Sequence, residues 1–337
     1  MIRINIPGFT NGSGGPRWGD CTIIDDGVNW VIIDGYCGQG KDILINRAKE
    51  IIKQNPHAEF DLFLTHAHYD HYHGLRKIIN DSSMPVRSFS LYDPDTLHPY
   101  NDEIRNDVKT VKAIVNEAQN MGITVKYLQD GDEIELGKIK FSVFRDSPKY
   151  NGNTDAYIND GSLSFWFPEL GYLTTGDAGF DCANKHDLHP VCVKIGHHGN
   201  DSSGYGLKPS EMAKWLFKNG CVYCWDNDYS TNLTSFLQTG REDCMTAGMR
   251  YFSVHGDINM VAFDGTMVIY KGAKYWTYKC SYSGARGLKD ASLAAVEGVL
   301  EGKYGNGDTR ITKLLDAHYS PTSVQNHVNR IFNLLRG

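Results

Sequence analysis

Histidine and aspartate are concentrated in one ten-residue stretch from Thr65 to Gly74, which reads Thr-His-Ala-His-Tyr-Asp-His-Tyr-His-Gly. Neutral imidazole and carboxylate are ligands that zinc takes, and catalytic sites usually leave one position open for water. His66 and His68 are two residues apart on extended backbone and can reach one ion. Asp70 and His71 lie just beyond and suit a second ion. The stretch therefore predicts a two-metal centre, and the zinc-helix pattern H-E-x-x-H is absent from the sequence.

The residues around this stretch indicate how it is held. The apolar run at 60–64 predicts a buried strand, and Gly74 is expected to open a helical segment over 75–79. The histidines should then lie on a loop between a strand and a helix, where a rigid sheet can hold them. The alternative is a polar surface loop that happens to be rich in histidine.

Hydrophobic periodicity predicts the other elements. Residues 21–24 and 30–35 predict a hairpin, whereas 41–53 and 101–122 have helical spacing. Strands are expected over 86–91, 125–128, 131–137, 139–144, 162–167, 172–175, 191–196, 221–225, 251–254, 258–263 and 266–270. A further helix is expected over 209–217. A hairpin, then alternating helices and strands, then strands in series suit two sheets packed face to face with helices outside.

Two of these strands end in groups that could complete a metal centre. The strand at 172–175 leads through Gly176 to Asp177, and a carboxylate is the one common side chain that can bind two metals at once. The strand at 191–196 ends in the pair His197-His198. Both endings are therefore candidates for the same site.

The stretch from His66 to His71 resembles the H-x-H-x-D-H signature of the metallo-β-lactamase superfamily, and the resemblance extends over most of residues 1–280. It implies an α/β fold, the four-layer αββα sandwich. In that family an aspartate at the place of Asp34 braces the metal loop from below. The aspartate at the place of Asp177 bridges both ions.

Three shorter motifs resemble one subgroup of that family, which includes domains of DNA-uptake competence proteins and a choline-phosphate esterase of bacterial surfaces. These motifs are Asn159-x-x-Ser162-Leu163, Thr175-Gly176-Asp177 and His197-His198-Gly199. The histidine pair stands where the family has its last metal ligand, and either histidine could fill that place.

The sequence departs from the family at one ligand. Many members have a histidine before the strand at 162–167, and this sequence has none there. Asn159 or Asp160 is nearest to that position. The predicted metal ligands are therefore His66, His68, Asp70, His71, Asp177, His197 and Asn159. We expect two divalent metal ions and prefer zinc. An oxygen ligand would make the first site harder, which is why manganese is the alternative.

The predicted catalytic residues are Asp70, His73 and His198. Each of the two histidines lies one or two residues from a ligand and could donate a proton to the leaving oxygen. Hydrogen bonding to the ligands is the alternative role. We expect hydrolysis by a metal-bound hydroxide, above all of a phosphodiester or phosphoester, with a bacterial surface polymer as one such substrate. The alternatives are a nuclease acting on DNA, a β-lactam or lactone hydrolase, and a non-catalytic wall-binding protein with a decayed metal site.

The composition changes from Ser281 onward. A short linker separates a predicted hydrolase domain, 1–282, from a predicted three-helix module, 288–337. The module resembles a cell-wall-binding repeat of phage lysins around Gly302-Lys303-Tyr304-Gly305-Asn306-Gly307. The resemblance implies peptidoglycan binding, for which Tyr304, Asn306 and Arg310 are the candidate residues. A helical cap that packs on the main domain is the alternative.

Charge and composition exclude some classes of binding partner. The formal net charge of −6 gives no case for nucleic acid or an anionic membrane as a partner, so nucleic acid is expected only as a substrate. No run of about eighteen apolar residues occurs, and Met1–Pro7 lacks the apolar core of a signal peptide. We expect a cytoplasmic protein that reaches the wall on lysis. The eight cysteines are scattered and expected to stay reduced.

Overall fold

The computed structural model describes residues 1–7, 20–36, 42–199, 215–216, 218–226, 250–253, 257–263, 265–271, 274–283 and 292–336. Its strands are β1 (Ile2–Ile6), β2 (Thr22–Asp25), β3 (Asn29–Ile33), β4 (Glu59–Leu64), β5 (Val86–Tyr92), β6 (Thr124–Leu128), β7 (Glu133–Leu136), β8 (Ile139–Phe144), β9 (Ser164–Phe167), β10 (Tyr172–Thr174), β11 (Cys192–Lys194), β12 (Tyr223–Asp226), β13 (Arg250–Ser253), β14 (Ile258–Phe263), β15 (Thr266–Lys271) and β16 (Lys274–Lys279). Its helices are α1 (Ile43–Gln54), α2 (Tyr69–Ile79), α3 (Asp102–Asn120), α4 (Thr154–Asp160), α5 (Asp181–Lys185), α6 (Leu293–Leu300), α7 (Gly307–Asp316) and α8 (Pro321–Arg336). The helix predicted over 209–217 and the linker after 282 fall largely outside the described residues. No helix in the described ranges is long and apolar enough to span a bilayer.

The strands form two sheets, in the orders β16-β15-β14-β1-β2-β3-β4-β5-β6 and β13-β12-β11-β10-β9-β8-β7. The run β3 to β6 is parallel, and so is the run β10 to β13. Parallel strands have their carboxyl ends at one edge of a sheet, which is where open α/β sheets bind ligands. Each sheet therefore offers one edge for a site.

Aromatic rings join the two sheets. Phe63 on β4 makes edge-on contacts with Phe141 on β8 and Phe165 on β9, with ring centroids 5.3 and 5.7 Å apart. Leu173 on β10 and Val193 on β11 face away from the first sheet. They lie in a second buried cluster that includes residues of α5. Because successive strand residues alternate between faces, the second sheet has a core on each side. The predicted αββα layering is confirmed.

One predicted boundary is wrong. Helix α2 begins at Tyr69 rather than after Gly74, so the second half of the histidine-rich stretch is helical. Gly74 lies inside the helix where the chain passes close to Gly35: the Gly74 N–H donates to the Gly35 carbonyl at 2.5 Å, and the Gly35 N–H donates to the His71 carbonyl at 2.7 Å. The glycine therefore marks close packing of two backbones and not a helix start.

The predicted three helices at the carboxyl end are present as α6, α7 and α8. They enclose a small core of their own. Leu315 on α7 is also buried against Val261 on β14 and Val268 on β15, so the helices pack on the first sheet. The domain bounds stay a prediction, and this contact agrees with the cap alternative.

Candidate metal centre

The candidate site lies where the carboxyl ends of parallel strands from both sheets meet. Asp34 follows β3 and His66 follows β4 in the first sheet, whereas Asp177 follows β10 in the second. The Leu163 N–H donates to the Thr65 carbonyl at 3.0 Å, which ties the two edges together. Residues far apart in sequence thereby reach one small volume.

His71 is fully buried and held in one orientation. Its Nδ1 lies 2.8 Å from Oδ2 of Asp34, so Nδ1 is the donating nitrogen and Nε2 is left for a ligand. Nε2 faces two carboxylate oxygens, Oδ2 of Asp177 at 3.3 Å and Oδ2 of Asp70 at 3.8 Å. A carboxylate behind a metal-binding histidine fixes its tautomer and ring orientation. The arrangement fits a divalent ion on the Nε2 side.

Asp177 lies between the two histidine groups. Its Oδ2 is 3.7 Å from Nε2 of His66 as well as 3.3 Å from Nε2 of His71. Nε2 of His66 is 3.1 Å from Nδ1 of His68. Two ligand atoms with bonds of ~2.0 Å to a tetrahedral ion are ~3.3 Å apart. The donor atoms of His66, His68 and Asp177 therefore fit one ion. Those of His71 and Asp177 have the spacing expected on a second ion, whereas Asp70 stays a predicted ligand.

Helix α4 brings a carboxylate close to the first of these groups. Oδ1 of Asp155 lies 4.0 Å from Nε2 of His68. Asn159 is four residues later and so lies on the same helix face. Its amide nitrogen and oxygen are buried and make no hydrogen bond to a described residue. A buried amide without a partner is costly, which supports the ligand role predicted for Asn159.

Asp34 connects the histidine-rich loop to the sheet. Its Oδ1 accepts the Thr65 backbone N–H at 2.8 Å, and its Oδ2 accepts the Thr65 hydroxyl at 2.7 Å in addition to His71. Burial raises the pKa of the Asp34 carboxyl, and the charge on His71 opposes that shift. These contacts support the bracing role predicted from the family resemblance.

Burial and neighbouring charges shift the pKa values of the three histidines in different directions. It lowers the pKa of His66 well below the ordinary value, with a further lowering from the charge on His71, and it lowers the pKa of His68. For His71 burial acts in the same direction, but the carboxylates of Asp177, Asp34 and Asp70 outweigh it and raise the pKa well above the ordinary value. His66 and His68 are thus held in the neutral form that binds metals.

The sequence did not predict Lys194 or Asp20 at this site. Lys194 ends β11, is 1% exposed, and forms an ion pair with Asp20. Its Nζ also lies 3.5 Å from Oδ1 of Asp177 and donates to the Gly176 carbonyl at 2.9 Å. Oδ2 of Asp20 lies 3.8 Å from Nδ1 of His71, on the side away from Nε2. The donor atoms of Asp20, His71 and Asp177 lie within 4.8 Å of one another. Because Asp34 already binds Nδ1 of His71, Asp20 fits a supporting role better than a ligand role.

The remaining predicted residues are placed as follows. The His197 backbone N–H donates to Oδ1 of Asp177 at 3.1 Å, while its ring is not among the grouped donor atoms of the described residues. His198 lies in the turn Gly196–Gly199, and its side chain is outside the described part of the chain. His73 stacks on Tyr69 with ring centroids 4.4 Å apart. The catalytic roles of Asp70, His73 and His198 stay predictions, and the stacking of His73 favours packing.

A cavity of about 340 Å³ lies beside helix α5, and none of the predicted metal ligands lines it. It is lined by residues that directly follow site residues, Asp160 after Asn159 and Ala178 after Asp177. Its charged lining consists of Asp146, Lys149, Asp160, Asp181 and Lys185. Burial, together with the nearby carboxylates of Asp181 and Asp146, raises the pKa of Asp160 to about 7. With two lysines beside the three carboxyl groups, the lining therefore carries little net charge near neutral pH.

A second cavity, of about 330 Å³, lies in the carboxyl-terminal helices. Asn306 and Arg310 line it, as does Val268 of the first sheet. Arg310 donates to the Gly305 carbonyl at 3.0 Å and to Oδ1 of Asn306 at 2.8 Å, and so orders the turn before α7. Tyr304 packs instead on the core of the helices. Two of the three predicted wall-binding residues thus lie at one cavity.

Comparison with known proteins adds family and fold. A family model described as the metallo-beta-lactamase superfamily matches residues 14–216, and one described as the CW_7 repeat matches residues 294–332. None of the curated proteins compared with the chain matches it.

Similar solved structures include the metallo-beta-lactamase fold protein YhfI from Bacillus subtilis (10% identity, TM-score 0.49, 75% of this chain and 96% of that chain covered). Others are a diphosphatase from the PhnP family (16%, 0.47, 78% and 98%) and unliganded yeast PDE1 (14%, 0.46, 75% and 98%). The family match spans more than half of the sequence and contains the histidine-rich stretch. The chain is a member of the metallo-β-lactamase superfamily, a metallo-hydrolase with a CW_7 repeat at its carboxyl end.

Proposed function

We propose that this metallo-hydrolase binds two divalent ions and hydrolyses phosphodiesters or phosphoesters. The observation that carries the proposal is the position of Asp177, whose Oδ2 lies within 3.7 Å of Nε2 of both His66 and His71. A single carboxylate oxygen between two oriented imidazoles supports a bridging ligand. Spacings this close to those of a tetrahedral ion argue against a decayed site.

The chain's own residues set the geometry of the reaction. Bound divalent ions supply Lewis-acid activation of a water and neutralise charge that develops on substrate oxygens. Asp34 holds His71 in its tautomer, and the His197 N–H and Lys194 hold the other carboxylate oxygen of Asp177. This support keeps the ligands in place without the substrate, which lowers the reorganisation needed during the reaction.

One observation favours a phosphoester. Oδ1 of Asp155 on α4 lies 4.0 Å from Nε2 of His68, and the predicted ligand Asn159 is on the same helix. Oxygen ligands suit harder ions that bind phosphate oxygens.

The test is a substrate panel with metal analysis. The purified chain would be loaded with zinc or manganese and given bis-p-nitrophenyl phosphate, a choline phosphoester, single-stranded DNA, a chromogenic β-lactam and a lactone. We expect phosphoester turnover that falls at least ~100-fold in His68→Ala and is unchanged in His57→Ala, which removes an exposed histidine. Turnover confined to the lactam or lactone would overturn the phosphoester assignment.

For the carboxyl-terminal helices we propose peptidoglycan binding, supported by the CW_7 match and by the cavity at Asn306 and Arg310. The Arg310 guanidinium lies at the cavity wall and donates to Oε1 of Gln325 and Oδ1 of Asn306, which also line the cavity. Such a set of donors and acceptors suits the hydroxyl and amide groups of a wall fragment. Such binding would hold the hydrolase near a phosphate-bearing surface polymer.

This part is tested by sedimentation of the full chain with purified peptidoglycan. We expect Arg310→Ala to remain in the supernatant, and Lys303→Ala, which removes an exposed charge nearby, to sediment with the wall. Thermal unfolding of each variant checks that it is folded. A wild-type chain that stays in the supernatant would support the cap alternative.

A further inference from the structure

A second group of side chains of metal-ligand type shares no residue with the proposed two-metal centre. The donor atoms of Asp130, Cys182 and His186 all lie within 4.8 Å of one another. Cys182 and His186 are four residues apart at helix α5 and so share one face. Asp130 comes from the turn between β6 and β7. Helix and turn thus bring three different ligand types to one point.

The geometry of this group fits zinc. Nε2 of His186 lies 3.3 Å from Oδ1 of Asp130, the separation of ~3.3 Å expected for nitrogen and oxygen ligands on one tetrahedral ion. That nitrogen is buried and makes no hydrogen bond to a described residue. The His186 ring is stacked on Phe144, with centroids 4.0 Å apart and an interplanar angle of 23°. The imidazole is therefore fixed in place with a ring nitrogen turned toward the carboxylate.

The surroundings supply charge and an open position. Asp130 is itself held, because its Oδ1 accepts the Arg145 backbone N–H at 3.0 Å and its Oδ2 lies 3.1 Å from Nζ of Lys185. Cys182 is 3% exposed and lines the cavity of about 340 Å³. Three protein ligands with a fourth position toward a cavity is the pattern of an open zinc site. A thiolate among them selects zinc over magnesium or manganese.

We propose that Asp130, Cys182 and His186 bind a third zinc ion, separate from the two-metal centre, with its open coordination position facing the cavity. Burial raises the pKa of the Cys182 thiol above its ordinary value, so binding releases the thiol proton to solvent and leaves a thiolate on the metal. The proposal does not depend on the hydrolytic function.

Cobalt substitution tests it, because a thiolate bound to Co²⁺ gives a near-ultraviolet charge-transfer band and the proposed two-metal ligands include no sulfur. In the full chain titrated with Co²⁺ we expect such a band in the wild type. Cys182→Ser should abolish the band, and Cys280→Ser, which removes another free thiol, should leave it intact. His186→Gln, which keeps the thiol and a flat side chain on Phe144, should raise the Co²⁺ concentration at half saturation at least ~10-fold.

The possible results separate the two proposals. A band that survives in His68→Ala while phosphoester turnover is lost supports two independent sites. Absence of the band from a cobalt-loaded wild type, or an unchanged band in Cys182→Ser, would overturn the third site and leave the hydrolytic proposal standing. A band with no phosphoester turnover in the wild type would overturn the hydrolytic proposal and leave the third site standing.

Discussion

Removal of the buried lysine should reveal how the negative charge of the site is balanced. Lys194 is paired with Asp20 and lies 3.5 Å from Oδ1 of Asp177. At an effective dielectric constant of ~20, the attraction across 3.5 Å is roughly 5 kcal/mol. Part of it is offset by the cost of burying the ammonium group. Lys194→Met is therefore expected to lower the free energy of unfolding by ~3–5 kcal/mol, as for other buried pairs that lose one partner.

The assay is urea unfolding of the metal-free protein at pH 7. Lys194→Met/Asp20→Asn, which removes both charges of the direct pair, should regain ~1–3 kcal/mol of the loss, because the uncompensated carboxylate is then gone. Lys140→Met is the matched control: it breaks an exposed pair with Glu135, and surface pairs contribute ~0–1 kcal/mol.

Zinc adds a second comparison. Ions bound at Asp177 would supply positive charge next to the same carboxylate, so Lys194→Met should cost less stability in the zinc-loaded protein than in the metal-free protein. Two results would refute the reasoning. One is a loss below ~1 kcal/mol in the metal-free variant. The other is an equal loss with and without zinc, which would mean that Asp177 does not bind the metal.

Three further outcomes are expected. Asp177→Ala should reduce bound metal from about two ions per chain to nearly none by elemental analysis, whereas Asp34→Ala should lower affinity for both ions without abolishing binding. Burial and the neighbouring carboxylates raise the pKa of Asp107 to about 6, so the folded state binds the proton more tightly and the wild type loses stability as pH rises from about 4 to 6. After allowance for its partial exposure, Asp107→Asn should stabilise the metal-free protein by ~1 kcal/mol at pH 7 and very little at pH 4 in urea unfolding. Leu315→Asp should lower the free energy of unfolding by ~2–4 kcal/mol and Leu300→Asp, at an exposed position, by much less.

Local signals in the sequence predicted much of the fold. Helix α3 is an example: Ile104, Val111, Ile114 and Val115 are buried on one face, and the Asn101 side chain accepts the Ile104 N–H at 2.9 Å as an amino-terminal cap. Periodicity and capping are local properties, so the sequence contains them directly. The same holds for the histidine-rich stretch, whose ligands are neighbours in sequence.

The partners that complete the site are not local, and the sequence alone did not identify them. Asp20 pairs with Lys194 across the two sheets, a contact that depends on sheet topology rather than on spacing. Helix α4 has seven residues, too few for a clear helical period, so Asn159 was expected beside a strand. A buried lysine at the end of an apolar strand was the one available signal for Lys194, because lysine is rarely buried without a partner.

Backbone strain is concentrated where the site is most constrained. Four non-glycine residues in the described part of the chain have positive φ. Two of them, Asp34 at 56° and His197 at 47°, belong to the site. A left-handed conformation costs roughly 1–2 kcal/mol outside glycine, so something must hold these two residues in it. Asp34 is held by hydrogen bonds to Thr65 and His71, and His197 by its N–H bond to Asp177. Asp34 thereby orients the His71 ring, and His197 orients the Asp177 carboxylate. The conformational cost is localised where a metal-binding function would require fixed geometry.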